Sequence, residues 1–301
     1  HTGDRYVHVD VYDQIQKRSL KLSTINTVAT GTNPFSFVNN LKTGNIFVLN
    51  KDSASITVIN SLDQVVKNIT LTDNPLFATY DAFNEKIYVI TEGSTTEVID
   101  ATNETVLTVI PTSFVGDLSS IENNGTSGIV YVSIDRIGQD KIAVINTLSD
   151  TITTTIDVNN NPKSLTYSNK YDKLFLVNSV SNDLTIIDTN TNTIDNVIST
   201  NTNNPFQIEI DETNDYIYVR TDENIEVFDY NSTSFIQTIS VGGLTTISEN
   251  TTNILQYNST LNELYTLSDT SGKGFIQTID VSDFSFKEEK EINLDGSIDG
   301  I

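Results

Sequence analysis

The chain has 301 residues, with 17 Lys+Arg against 40 Asp+Glu, a formal charge of −23, and no Cys, Met or Trp. Without Cys there are no disulfides, thiolate metal sites or cysteine nucleophiles, and so acidic a chain is repelled by phosphate backbones, which excludes nucleic acid as a partner. No apolar run of about 18 residues occurs, so no membrane span is expected, and the missing Met reads as a processed chain, or a piece of a longer one, suited to an oxidising exterior.

From the N-terminus, the run VDVYD closes on Asp13, and residues 8 to 32 read as two outer strands of a unit whose inner part lies elsewhere in the sequence. Then a four-part phrase begins to recur. Its first part is a short apolar run: IFVLN (Ile46–Asn50), IYVIT (Ile87–Thr91), VYVSI (Val130–Ile134), LFLVN (Leu174–Asn178), IYVRT (Ile217–Thr221) and LYTLS (Leu264–Ser268). A second alternating run closes on Asn60, Asp100, Asn146, Asp188, Asp229 and Asp280 in turn, and a third follows, such as TVLTVI or TIDNVIS. A fourth is often opened by Asn-Pro, at Asn33-Pro34, Asn74-Pro75, Asn161-Pro162 and Asn204-Pro205.

Alternation with period two and enrichment in β-branched residues mark these runs as strands, and no helical stripe is present. Four short strands in each unit of about 40 residues match the blade of an all-β propeller. Counting Asp13 gives seven copies of the closing Asx, hence seven four-stranded blades in a single domain, 1–301. The expected units are 33–73, 74–114, 115–160, 161–203, 204–242 and 243–294, with a closing blade built from 295–301 and 1–32. Joining the two ends in one blade closes the ring and removes its open edges. One strand of that closing blade has no matching run, so continuation of the chain or a partner strand is expected to fill it.

The closing Asx residues are read as turn caps, whose side-chain oxygens accept backbone N–H groups two residues on. Pro after Asn begins a strand without giving up a needed donor.

The phrase IYVIT, a loop, EVID and TVLTVI resembles the YVTN-repeat β-propellers, over nearly the whole chain at the level of the blade pattern. The third unit departs from it in lacking Asn-Pro, and the sixth in carrying Gly242-Gly243 with a long loop. The resemblance implies a prokaryotic surface or secreted protein of the surface-layer or cell-envelope kind, and no single activity.

Candidate chemistry is sparse. His1 and His8 are the only histidines, so a His-centred triad or a multi-His zinc site is excluded. Arg136 follows a strand and reads as a solvated charge. The tightest acidic groups are Asp211-Glu212 with Asp215, Asp222-Glu223, and Asp295 with Asp299. They read as turns or solvated loops; calcium is admitted by such loops, but none has the spaced calcium-loop pattern. Six Asn-X-Ser/Thr sequons stand at Asn68, Asn103, Asn124, Asn231, Asn250 and Asn258, about what chance gives in so Asn- and Thr-rich a chain. Four of them, Asn103, Asn124, Asn231 and Asn258, fall in turns on one expected face of the ring, which makes them candidate N-glycosylation sites.

The expected function is therefore a noncatalytic extracellular or cell-surface propeller, with no catalytic or cofactor-binding residue assigned. Its expected partners are surface proteins or glycans, with self-assembly into an envelope or filament included. The alternative is a secreted lactonase- or lyase-type enzyme using carboxylates or a metal at the channel mouth.

Overall fold

The computed structural model describes residues 28–111, 117–125, 127–136, 138–242, 254–270 and 273–292. Among them, 24 strands form six separate four-stranded antiparallel sheets, each a simple meander in chain order. Sheet 1 takes β1 (Pro34–Asn39), β2 (Ile46–Asn50), β3 (Ser55–Ile59) and β4 (Val65–Thr70), and sheet 2 takes β5 (Pro75–Asp81), β6 (Lys86–Thr91), β7 (Thr95–Asp100) and β8 (Thr105–Pro111). Sheet 3 is β9 (Asp117–Asn123), β10 (Ile129–Asp135), β11 (Lys141–Asn146) and β12 (Thr151–Asp157); sheet 4 is β13 (Pro162–Ser168), β14 (Lys173–Asn178), β15 (Asp183–Asp188) and β16 (Thr193–Ser199). Sheet 5 holds β17 (Gln207–Asp211), β18 (Tyr216–Arg220), β19 (Asn224–Asp229) and β20 (Phe235–Ser240); sheet 6 holds β21 (Leu255–Asn258), β22 (Glu263–Thr270), β23 (Lys273–Asp280) and β24 (Ser285–Ile292).

Six sheets are thus described against seven expected blades. Most of the proposed closing blade, 1–27 with 293–301, lies outside the described residues, as does Asp13.

Each second and third strand of sheets 1 to 5 is buried on both faces, so its alternate residues feed two different interfaces. Phe47, Leu49, Ile56 and Val58 of sheet 1 meet Ile87, Val89 and Ile99 of sheet 2, whose opposite face sends Tyr88, Ile90 and Val98 into sheet 3. Three further clusters repeat this between sheets 3 and 4, 4 and 5, and 5 and 6. This is why the first run of each phrase, the second strand of its sheet, is nearly continuously apolar rather than half polar. Successive first strands lie against one another, and the fourth strands carry the exposed residues, Val65, Val106, Ile194 and Phe235 among them. The sheets are therefore arranged side by side with first strands inside and fourth strands outside, a β-propeller-like order.

The closing Asx residues do cap their turns. Asn60, Asp100, Asn146, Asp188, Asp229 and Asp280 each accept a backbone N–H two or three residues on. In each of these turns a residue then takes positive φ: Asp63, Glu104, Asp150, Asn192, Thr233 and Phe284. A β-bulge follows in every third-to-fourth strand pair, as expected when a left-handed residue ends a short hairpin loop. First-to-second strand turns use the same device, with Asn40, Asp81, Asn124, Asp211 and Asn258 as caps.

Candidate functional site

A meander puts its first and third turns at one end of the sheet and its second turn, with the link to the next sheet, at the other. We call these the turn end and the latch end. Both carry chemistry, and of different kinds.

At the latch end, buried side chains of a third strand hold the segment that enters their own sheet. Glu97 Oε1 accepts Thr72 N and Thr72 Oγ1, each at 2.7 Å, and Glu226 occupies the matching place in sheet 5, accepting Asn201 N at 2.9 Å and Thr202 N at 2.5 Å. In sheet 1 the neutral Thr57 takes that place and accepts Gly31 N at 3.2 Å. Glu97, Glu226 and Thr57 are fully buried; carboxylates bonded to backbone N–H groups in this way hold loop geometry, with Glu97 Oε2 left without a hydrogen-bond partner. Nearby, Arg220 occupies a slot filled by Leu49, Ile90 and Val177 in other sheets. Its guanidinium donates to the carbonyls of Thr221, Asn224, Gly242 and Leu267, tying sheet 5 to sheet 6. Burial pushes the Arg220 pKa down to about 10.

Along the inner strands, side chains stitch neighbouring sheets that share no backbone ladder. Leu165 N donates to Ser120 Oγ, Thr166 Oγ1 to Ile208 O, Ile254 N to Gln207 Oε1, and Tyr257 N to Glu209 Oε1. Two acids stand in this inner layer. Glu122 is paired with Tyr131 and Glu209 with Tyr218, the same slot of the repeat in sheets 3 and 5. Each keeps partial solvent access but is enclosed by protein at longer range, and the enclosure dominates. Burial, and then the charge of Glu209, push the Glu122 carboxyl up to about 8; burial, and then Asp211, push Glu209 to about 8 against the pull of the Tyr257 N–H. Carboxyls poised there can exchange protons near neutrality.

The turn end is different. The left-handed residue of a third-to-fourth strand turn reaches back to the preceding sheet, and the contact changes chemistry from sheet to sheet. Asn45 Nδ2 donates to Glu104 Oε1 at 3.0 Å, Lys86 Nζ meets Asp150 at 2.8 Å, and Tyr216 packs on Phe284 with ring centres 5.2 Å apart. Beyond these clasps the turn tips stand in solvent. In sheets 1 to 3 four of them are apolar, Leu41, Leu62, Phe83 and Leu148, at 83%, 73%, 62% and 80% exposed, while the third turn of sheet 2 carries Thr102 and the first turn of sheet 3 Gly125. The matching turns of sheets 4 to 6 carry Asn169, Asn190, Glu212, Asn231 and Ser282, with Leu261, 42% exposed, as the apolar exception in the first turn of sheet 6. Phe83 and Leu148 are neighbours, because Asn84 Nδ2 donates to Thr147 Oγ1 at 2.7 Å. A cleft of about 270 Å³ opens beside them, lined by Glu85, Lys86, Asp100, Asn103 and Leu107 among others.

Four of the six sequons lie at this turn end, as Asn103, Asn124, Asn231 and Asn258. Asn103 and Asn231 are exposed; Asn258 is partly covered and caps its turn through Oδ1. Asn124 is buried, with Oδ1 accepting Ser127 N and Ile129 N and Nδ2 donating to Ser127 Oγ. Asn68 is exposed on β4, and Asn250 lies outside the described residues. Asp211, Glu212 and Asp215 are tied into turn bonds, to Thr213 N, Ser168 Oγ and Lys170 Nζ respectively. Asp222 accepts Asn204 Nδ2 at 3.1 Å; Asp295 and Asp299 lie outside the described residues. Arg136 follows β10 and is partly exposed. Among the described residues no three His, Asp or Glu side chains are grouped to hold a metal ion, and no helix is long and apolar enough to cross a membrane.

Reading runs one at a time misses Glu122 and Glu209, because each is a lone acid in an ordinary alternating strand. Aligning the inner strands slot by slot finds them, since the sequence at that slot reads Val38, Thr79, Glu122, Thr166, Glu209, Gln256.

No family model matches the chain, and no curated protein does. Many solved structures share its fold. A functionally unknown protein from Desulfotomaculum acetoxidans superposes with a TM-score of 0.72 at 16% identity, covering 88% of this chain and 87% of that one. Hydrazine synthase from Kuenenia stuttgartiensis superposes with a TM-score of 0.66 at 14% identity, covering 84% and 85%. At such identities the likeness establishes the fold alone.

Proposed function

We propose that this chain is a noncatalytic, extracellular or cell-surface propeller of the YVTN-repeat kind, which presents its turn end to another surface protein or a glycan. The observation that carries the reading is the bias of the turn tips: Leu41, Leu62, Phe83 and Leu148 are exposed over sheets 1 to 3, while the turns of sheets 4 to 6 are polar apart from Leu261. Large apolar side chains held on capped turns cost solubility and return little to the fold, which favours a contact surface.

The ring has seven blades in this reading, the seventh built from 295–301 and 1–32. Burial supports it: Val48 and Thr57, paired on the face of sheet 1 turned away from sheet 2, are fully buried, and Val48 belongs to none of the apolar clusters.

One observation favours the enzyme reading as the second: the Glu122 and Glu209 carboxyls, held near 8, have the protonation range of a general acid or base. A single experiment separates the two. Purified chain is incubated with washed envelopes of its source cells, with and without calcium, and assayed in parallel on lactones and sugar lyase substrates. Saturable retention on envelopes without turnover is expected; turnover abolished by Glu209→Gln would overturn the proposal.

A further inference from the structure

Lys86, Asp150 and Asp81 are set up for more than an ion pair. Lys86 Nζ lies 2.8 Å from both Oδ1 and Oδ2 of Asp150, across the junction of sheets 2 and 3, and both side chains are largely buried, at 14% and 17% exposed. Two further contacts fix the pair. Lys86 Nζ also donates to Thr147 O at 2.7 Å, and the Tyr88 hydroxyl, on a fully buried side chain, donates to Asp150 Oδ1 at 2.5 Å. A second acid stands on the same face. Asp81 is paired in register with Lys86, so both side chains project from the same face of sheet 2, the face that carries Tyr88. It is buried, and while its Oδ1 caps the turn at Phe83, its Oδ2 has no hydrogen-bond partner. A buried acid oxygen without a donor is costly unless it holds a proton or passes one on.

We propose that Lys86 and Asp150 condense to an amide that staples sheet 2 to sheet 3, with Asp81 carrying the proton. Asp81, which faces the pair from the same side of sheet 2 but stands outside ion-pair distance of Lys86 Nζ, receives a proton from the Lys86 ammonium when the two side chains close up, and the freed Nζ attacks Asp150 Cγ. The Tyr88 hydroxyl stabilises the oxygen that gains charge, as a fixed donor in an enclosed site does. Asp81 returns its proton to Oδ2, the C–Oδ2 bond breaks, and one water leaves with the second proton from Nζ. Ammonium and carboxylate become amide and water; no oxidant, metal or cofactor takes part and the net charge is unchanged.

Condensation is unfavourable between free groups in water. Holding both in one geometry supplies an effective concentration on the order of 10⁵–10⁸ M, which drives it forward. In the other described junctions the same place is filled by pairs that cannot react this way, such as Asn45 with Glu104 and Tyr216 with Phe284. In a chain without cysteine, the amide does the work of a cross-link.

The test is the intact mass of the purified, denatured chain, followed by peptide mapping. The wild type is expected to fall short of its sequence mass by one water, with the loss located in a branched peptide joining Lys86 to Asp150. Lys86→Arg, which keeps the ion pair but cannot condense here, is expected at full mass and unbranched. Asp81→Asn is expected to fold and to stay at full mass. A wild type at full sequence mass would overturn the proposal. Loss of water in Asp81→Asn at the wild-type rate would overturn the role given to Asp81.

Discussion

The two ends of the sheets solve opposite problems. At the latch end the chain passes from one sheet to the next, so backbone donors enter a buried junction and must be met. Glu97 and Glu226 accept them, and Arg220 donates to the carbonyls of its own junction. At the turn end each hairpin closes on itself through an Asx cap and a left-handed residue, so the fold leaves the tip residues free to vary even where clasps such as Lys86–Asp150 join neighbouring sheets. The tips accordingly run from Leu41 and Phe83 to Asn190 and Glu212 with no change in the turn beneath. The lesson is that the latch end holds the fold while the turn end carries what distinguishes one sheet from another.

The largest expected effect is at a latch. Arg220→Ala takes one donor from each of four carbonyls and opens a cavity between sheets 5 and 6, and should cost about 3 kcal/mol or more in urea unfolding. A loss below about 1 kcal/mol would mean that the junction does not depend on it.

Next comes the inner acid pair, through pH. Folded Glu122 and Glu209 keep their protons up to about 8, whereas the unfolded chain releases them near 4.5. Between those values the folded state binds more protons, so stability falls as pH rises through that window and is level above it. Glu122→Gln should flatten this slope and raise the melting temperature at pH 8. An unchanged slope would mean that the two carboxyls ionise freely.

A smaller gain is expected at the turn end. Thr233 is β-branched and holds φ 52°, where only glycine is unstrained, so Thr233→Gly should stabilise by about 0.5–1 kcal/mol. Denaturant midpoints of the two proteins decide it.

Much of the fold was legible because the repeat states it six times. The second-strand runs announce burial on both faces, and the Asx at Asn60, Asp100 and Asp188 announces the turn that it caps. The inner acids were not legible, since Glu122 and Glu209 acquire their character from a neighbouring sheet over 40 residues away in sequence. The same holds for Lys86 and Asp150, which meet only because sheet 3 packs on sheet 2. The sequons show the limit from the other side: Asn103 and Asn124 have the same local motif, yet one is exposed and the other is buried by its own turn.

The most direct test of the account is to compare envelope retention of the wild type with a variant carrying Leu41→Ser, Leu62→Ser, Phe83→Ser and Leu148→Ser. The account predicts that the variant keeps its stability within about 0.5 kcal/mol, since these side chains bury little surface, and loses at least tenfold in affinity. A variant that binds as tightly as the wild type would contradict it, because the turn end would then not be the surface that the propeller presents.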